Sequence, residues 1–140
     1  MAAAPASKLI VASWQARGLV FTGAAPGKPP VTIDGDGEEG PGPMDALLLA
    51  LAGCTGSDVV VVLRKKKIEL QELRLEIRGE RREEYPQRYT KIDLVYHIFA
   101  PGAPEQAVRH AIDLSLAKYC SVAHSLHPDI PIGYELVLQA

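Results

Sequence analysis

The 140-residue sequence predicts a single α+β domain, antiparallel sheet with two principal helices. Three observations lead there. Apolar residues alternate with charged or polar ones from Leu73 to Arg78 and again from Ile92 to Ile98, the period of half-buried strands. A stretch from Met44 to about Lys66 is apolar nearly all round. A later stretch beginning at Glu105 places Val108, Ala111, Ile112, Ser115, Leu116 and Tyr119 along one side of a helix.

In chain order, Lys8–Trp14 and Gly18–Thr22 read as two strands about a turn at Gln15-Ala16-Arg17, and Val31–Asp34 adds a third. Ala24–Pro30 and Gly35–Gly42 are rich in Gly and Pro and read as loops. Pro43 suits the first turn of a helix, and Asp45 complements its N-terminus. In that helix Leu47, Leu48, Leu51, Ala52 and Cys54 are followed by Val59 to Leu63, with no polar face until Arg64. A helix of this kind is covered on most sides. The four valines fit a buried strand equally well by periodicity alone. Continuity with the preceding pattern and the basic end, Arg64-Lys65-Lys66-Lys67, select helix. Gly53 and Gly56 flank the thiol and weaken the helix, which implies tight packing or access to the backbone.

The two alternating strands follow, joined by the charged segment Gly79–Arg88 as a solvated loop or hairpin tip. After Pro101-Gly102-Ala103-Pro104 the second helix runs toward Cys120, across a break into a shorter helix, and Gly133–Gln139 closes the chain as a strand.

Composition is that of an ordinary soluble chain, 47% apolar and 23% charged. The net charge of −2 offers no field for nucleic acid, and the one basic run is a helix end. The start, MAAAPASKLIVASW, has no basic segment before an apolar one and is no secretion signal. The uncharged run Ala46–Ser57 is too short to cross a bilayer. A cytoplasmic protein without membrane or nucleic-acid partners is expected, and there two cysteines pair only transiently.

Both cysteines, Cys54 and Cys120, fall in helical, apolar surroundings. The plain reading is two small buried residues. The alternative is a redox pair, which needs one thiol activated by a cation and a second close enough to attack its sulfenic acid. Spacing leaves both open. Cys120, His124 and His127, with Cys54, would make four metal ligands, but the spacing fits no standard zinc signature, and His127-Pro128 marks a helix end. No metal is expected. A non-catalytic module that holds a hydrophobic ligand near Cys54 is a further alternative. No Gly-x-Ser-x-Gly elbow or phosphate loop occurs. Asp58 and Asp113 read as a capping or solvent-facing residue and a surface charge.

PMDALLLALAGCTGSDVVVVLRKK resembles the first-cysteine helix of the OsmC/Ohr family, and KYCSVAHSL resembles its second-cysteine motif. The separation of 66 positions and the order of elements agree, over essentially all of the chain after Lys8. The resemblance implies the OsmC-like fold as an intertwined homodimer, antiparallel sheets packed around two central helices, with both cysteines near the subunit interface. It also implies a thiol peroxidase of oxidative-stress defence. Cys54 would attack the O–O bond, Cys120 would close a disulfide, and an external dithiol would restore both, with no bound cofactor. The family supplies an arginine as the activating cation, and Arg17 in WQARGLVF is the candidate. The hydroperoxide-resistance branch has a glutamate after the helix-starting proline to hold that arginine. This chain has Met44 there, as in the less characterised PME or PMD branch, and Asp45, Glu38 and Glu39 are the acids left to substitute. The apolar surroundings favour alkyl or fatty-acid hydroperoxides over hydrogen peroxide.

Overall fold

A computed structural model of the chain describes residues 6–139. Residues 1–5, where the stretch read above for a secretion signal begins, and residue 140 lie outside the described residues. The chain divides between Leu47 and Leu48 into two compact units.

The first unit holds a three-stranded antiparallel sheet in the order β1-β2-β3, with β1 at Val11–Trp14, β2 at Val20–Ala24 and β3 at Val31–Asp34. Trp14 pairs with Phe21, and Val20 with Asp34. The hairpin turn is longer than the expected Gln15-Ala16-Arg17. Ala16 and Gly18 both take positive φ, and Gln15 N–H donates to the Val20 carbonyl at 2.9 Å, so the second strand starts at Val20. The sheet leaves Val11, Trp14, Phe21 and Val31 exposed.

The second unit takes most of α1, Pro43–Lys65, with β4 at Glu72–Arg81, β5 at Tyr89–Phe99, α2 at Glu105–Leu114, α3 at Ser121–Ser125 and β6 at Ile132–Gln139. The valine run is helix. Leu51, Thr55, Val59 and Leu63, four residues apart, form its buried stripe. Gly56 permits close approach to β4, since a Cβ there would meet the Leu75 side chain at 3.2 Å. Gly53 faces open space and has no such packing reason. By length and composition α1 as a whole is apolar enough to cross a membrane, which Ala46–Ser57 alone is not. Its buried stripe, with a polar Thr55 inside it, marks a core helix.

Ile92, Leu94, Tyr96 and Ile98 point from β5 into the core, as their alternation predicts. Val108, Ala111 and Ile112 of α2 are fully buried with them. β4 and β5 form an antiparallel hairpin that extends to Arg81, into the segment expected to be loop. Ladder hydrogen bonds do not require apolar side chains, so the charged residues can pair. The α+β class holds, with one difference: β6 runs parallel to β5, and the second sheet is mixed. The chain returns through residues 105–125 in a helical crossover, which brings it back to the end where β5 began.

Candidate active site

α1 presents Cys54 and Asp58 one helical turn apart, on the same face. Cys120 reaches them from a break in the second helical segment. After α2 the chain makes one π-helical turn, Ser115–Tyr119, in which the Cys120 N–H donates to the Ser115 carbonyl at 2.7 Å. Cys120 itself is extended, with φ −73° and ψ 98°. It therefore lies between helices and not on one. Its Sγ accepts the Ala123 N–H at 3.4 Å, capping α3. Both thiols are free. The two Sγ atoms and a carboxylate oxygen of Asp58 all lie within 4.8 Å of one another.

The two sulfurs differ in surroundings. Cys54 is half-buried, whereas Cys120 is fully buried. Burial pushes the Cys120 thiol up to about 11; the Ala123 N–H acts against this, and Cys54 and Asp58 add to it. Cys120 therefore keeps its proton at neutral pH.

A string of buried hydroxyls ends on the same carboxylate. Tyr96 Oη lies 2.7 Å from Thr55 Oγ1, which lies 2.8 Å from Ser115 Oγ. The Ser115 hydroxyl donates to Asp58 Oδ2 at 2.8 Å. An ionised carboxylate only accepts, and each hydroxyl has a single proton. The direction of the whole string follows: Tyr96 donates to Thr55, Thr55 to Ser115, and Ser115 to Asp58. Burial holds the Tyr96 phenol at about 12, so it remains a donor throughout.

In the first unit the turn presents Arg17, whose guanidinium donates to both carboxylate oxygens of Glu39, at 2.9 and 2.6 Å. Of the three acids left open by the sequence, Glu39 is the one paired with Arg17. Asp45 instead accepts the Gly42 N–H at 3.3 Å. Asp34, 2% exposed, shapes the loop that carries Glu39 by accepting the N–H groups of Asp36, Glu38 and Glu39 at 2.9, 3.1 and 3.0 Å. The backbone of Glu39, then that of Asp36, holds the Asp34 carboxyl below its ordinary value. Hydrogen bonds from Arg17 do the same for Glu39.

Cys54 and Cys120 are thus brought together, and Arg17 is held by a carboxylate in its own unit. Asp58 is not the capping or solvent-facing residue expected: it is half-buried, hydrogen-bonded to Ser115 and next to both sulfurs. Sequence reading also passed over Thr55, Tyr96 and Ser115. Two signals were present, an acid four residues after Cys54 and a serine, Ser115, in the apolar stripe that continues from α2 into the π-helical turn. Among the described residues, Cys54, Asp58 and Cys120 form the group whose donor atoms could hold a metal ion. The histidines weighed as metal ligands in the sequence are engaged elsewhere, His124 with the Leu116 carbonyl at 3.1 Å and His127 with Asp129.

Fold and site define an α+β protein that gathers two free thiols and a carboxylate about a central helix. A family model described as OsmC-like protein matches residues 35–135, and the chain belongs to that family. It is 37% identical over 123 residues to Protein YhfA of Escherichia coli strain K12, covering 86% of this chain and 92% of that one. Its fold is similar to the crystal structure of a hypothetical protein from Aquifex aeolicus, with a TM-score of 0.82 and 28% identity over 97% of this chain and 100% of that one. It is also similar to the organic hydroperoxide resistance protein OhrB of Bacillus subtilis. There the TM-score is 0.62 and the identity 14%, over 94% of this chain and 98% of that one, a likeness of fold.

Proposed function

We propose that this protein is a thiol peroxidase that reduces organic hydroperoxides in oxidative-stress defence, as a cytoplasmic homodimer. The observation that carries the reading is the meeting of Cys54 and Cys120 Sγ within 4.8 Å, from positions far apart in the chain. The Cys54 thiolate attacks the terminal oxygen of the hydroperoxide. The O–O bond breaks, the alcohol leaves after taking a proton, and Cys54 becomes a sulfenic acid. Cys120 then attacks that sulfur, a disulfide forms and water departs. An external dithiol reduces the disulfide.

The unequal thiols support this division of labour. Cys54 is the accessible one, and Cys120 is enclosed and protonated until its turn comes. Family membership, together with a fold shared with the organic hydroperoxide resistance protein OhrB, supports the substrate class. The resemblance assigns Arg17 the role of cation that favours the Cys54 thiolate, and Glu39 orients its guanidinium. A second copy of the chain is the proposed cover for the apolar surface left open, including Leu49 of α1, 64% exposed, and Trp14. The three converging donor atoms favour a second reading, a metal-binding protein, in which a bound ion would block oxidation.

The test is turnover of an alkyl hydroperoxide with a small dithiol. Wild-type protein should consume peroxide and Cys54→Ser should not. Equal rates for the two would refute the reading. Protein purified with bound metal and inert to peroxide would establish the second reading instead.

A further inference from the structure

Asp58 and its string of hydroxyls have no part in the chemistry described so far, yet they occupy its centre. Cys120 presents a difficulty that they resolve. Only a thiolate attacks a sulfenic acid, and Cys120 is a buried thiol that is hard to ionise in neutral water. Its proton needs an acceptor within the site. In the second unit one carboxylate lies within 4.8 Å of both sulfurs, that of Asp58.

We propose that the Asp58 carboxylate takes the Cys120 proton as the disulfide with Cys54 forms, and that Ser115, Thr55 and Tyr96 position it for this. The proposal rests on the dithiol reading of the site. In the step, the Cys120 S–H bond breaks and its electron pair attacks Cys54 sulfur. The Cys54 S–O bond breaks, and the departing hydroxide receives the proton that Asp58 has taken. One water leaves, one disulfide remains, and Asp58 is again a carboxylate.

The Asp58 carboxylate lies near the thiol and is held in place. The hydroxyl of Ser115, donating to Oδ2 at 2.8 Å, fixes the carboxylate within 4.8 Å of the Cys120 sulfur. The string is buried, so water does not compete for those hydroxyls. The groups that face Asp58 come from several elements: Cys54 on α1, Cys120 in the break, Ser115 on the π-helical turn and, further along the string, Tyr96 on β5. On its outer side Asp58 shares the lining of a cavity of about 490 Å³ with Lys65, Lys66, His110 and Tyr119.

The experiment needs no peroxide. The accessible Cys54 of the reduced full-length chain is capped as its mixed disulfide with thionitrobenzoate. Cys120 is then left to displace the chromophore, and the release rate is followed against pH. In wild-type protein closure should vary little across the neutral range. In Asp58→Asn it should be about a hundredfold slower at neutral pH. Hydroxide must then do the deprotonation, so the rate should climb about tenfold per pH unit toward the wild-type value. Asp58→Glu should recover part of the loss. Closure in Asp58→Asn at the wild-type rate would overturn the proposal. So would a slower rate with the wild-type pH profile, since that marks a structural role alone. If circular dichroism shows Asp58→Asn unfolded, Ser115→Ala decides. Closure slowed several-fold with a steeper pH profile supports the proposal, and unchanged closure overturns it. Asp58-dependent closure in a protein inert to hydroperoxide would refute the peroxidase reading and leave this one standing.

Discussion

The direction of the hydroxyl string makes a prediction about stability that mere contact between the same residues would not. Thr55→Val keeps the side-chain shape and removes the middle hydroxyl. Tyr96 Oη–H then loses its acceptor in the core, while Ser115 still donates to Asp58. A buried donor left without a partner costs about 1–3 kcal/mol beyond the lost bond, so Thr55→Val should destabilise by about 2–3 kcal/mol. Tyr96→Phe removes the head of the string. Thr55 still donates to Ser115 and no donor is stranded, so the loss should be about 1 kcal/mol. In the double variant the stranded phenol is gone as well. Its cost should fall below the sum of the single variants by about 1–2 kcal/mol. Urea unfolding of reduced protein at one fixed chain concentration measures all four species. A Tyr96→Phe loss larger than that of Thr55→Val would mean that the string runs the other way, with Asp58 protonated. Strict additivity would mean that the hydroxyls are not coupled.

Three further outcomes follow from the same geometry. The Cys120 thiol, raised from 9.0 to about 11 in the fold, holds its proton longer folded than unfolded. Its contribution is thus complete below the ordinary value and lost as pH rises through that window; Cys120→Ala should flatten the decline of the urea midpoint. The Asp34 carboxyl is held low, so its contribution is present above the ordinary carboxylate range and lost as pH falls through the lower folded value. Amide hydrogen-exchange protection at Asp36, Glu38 and Glu39, taken relative to the intrinsic rate at each pH, should fall on acidification, and Asp34→Asn should show the low protection already at neutral pH. On the proposed role of Arg17 as the activating cation, Glu39→Gln, which releases the guanidinium, should slow sulfenic-acid formation about ten- to a hundredfold, measured by stopped flow, with Glu39→Asp in between.

Much of this architecture could be read before any coordinates. Val31–Asp34 is a strand as expected, and the helix expected from Met44 to about Lys66 runs from Pro43 to Lys65. Periodicity succeeds there because it reports which face of an element is buried. It carries no information on strand direction, so the parallel pairing of β6 was not visible. The break into a shorter helix at Cys120 was expected, but the π-helical turn that makes it leaves no trace in hydrophobic spacing. Asp58 was misjudged for a related reason. Its neighbour along the helix, Cys54, is local, but the group that fixes its role, Ser115, lies 57 positions away. Glu39 was one of three acids left open, and only the loop built on Asp34 distinguishes it from Glu38 and Asp45. The unbroken apolar character of α1 was legible as well. Its buried stripe accounts for one side, and a second copy of the chain is proposed for the remainder.

The central claim is that Cys54 and Cys120 work as one redox unit. Its most direct test is peptide mapping by mass spectrometry of reduced protein given one equivalent of an alkyl hydroperoxide. A peptide pair joined through Cys54 and Cys120 should appear, and Cys120→Ser should instead stop with one added oxygen on Cys54. Two intact thiols after the peroxide treatment would contradict the account.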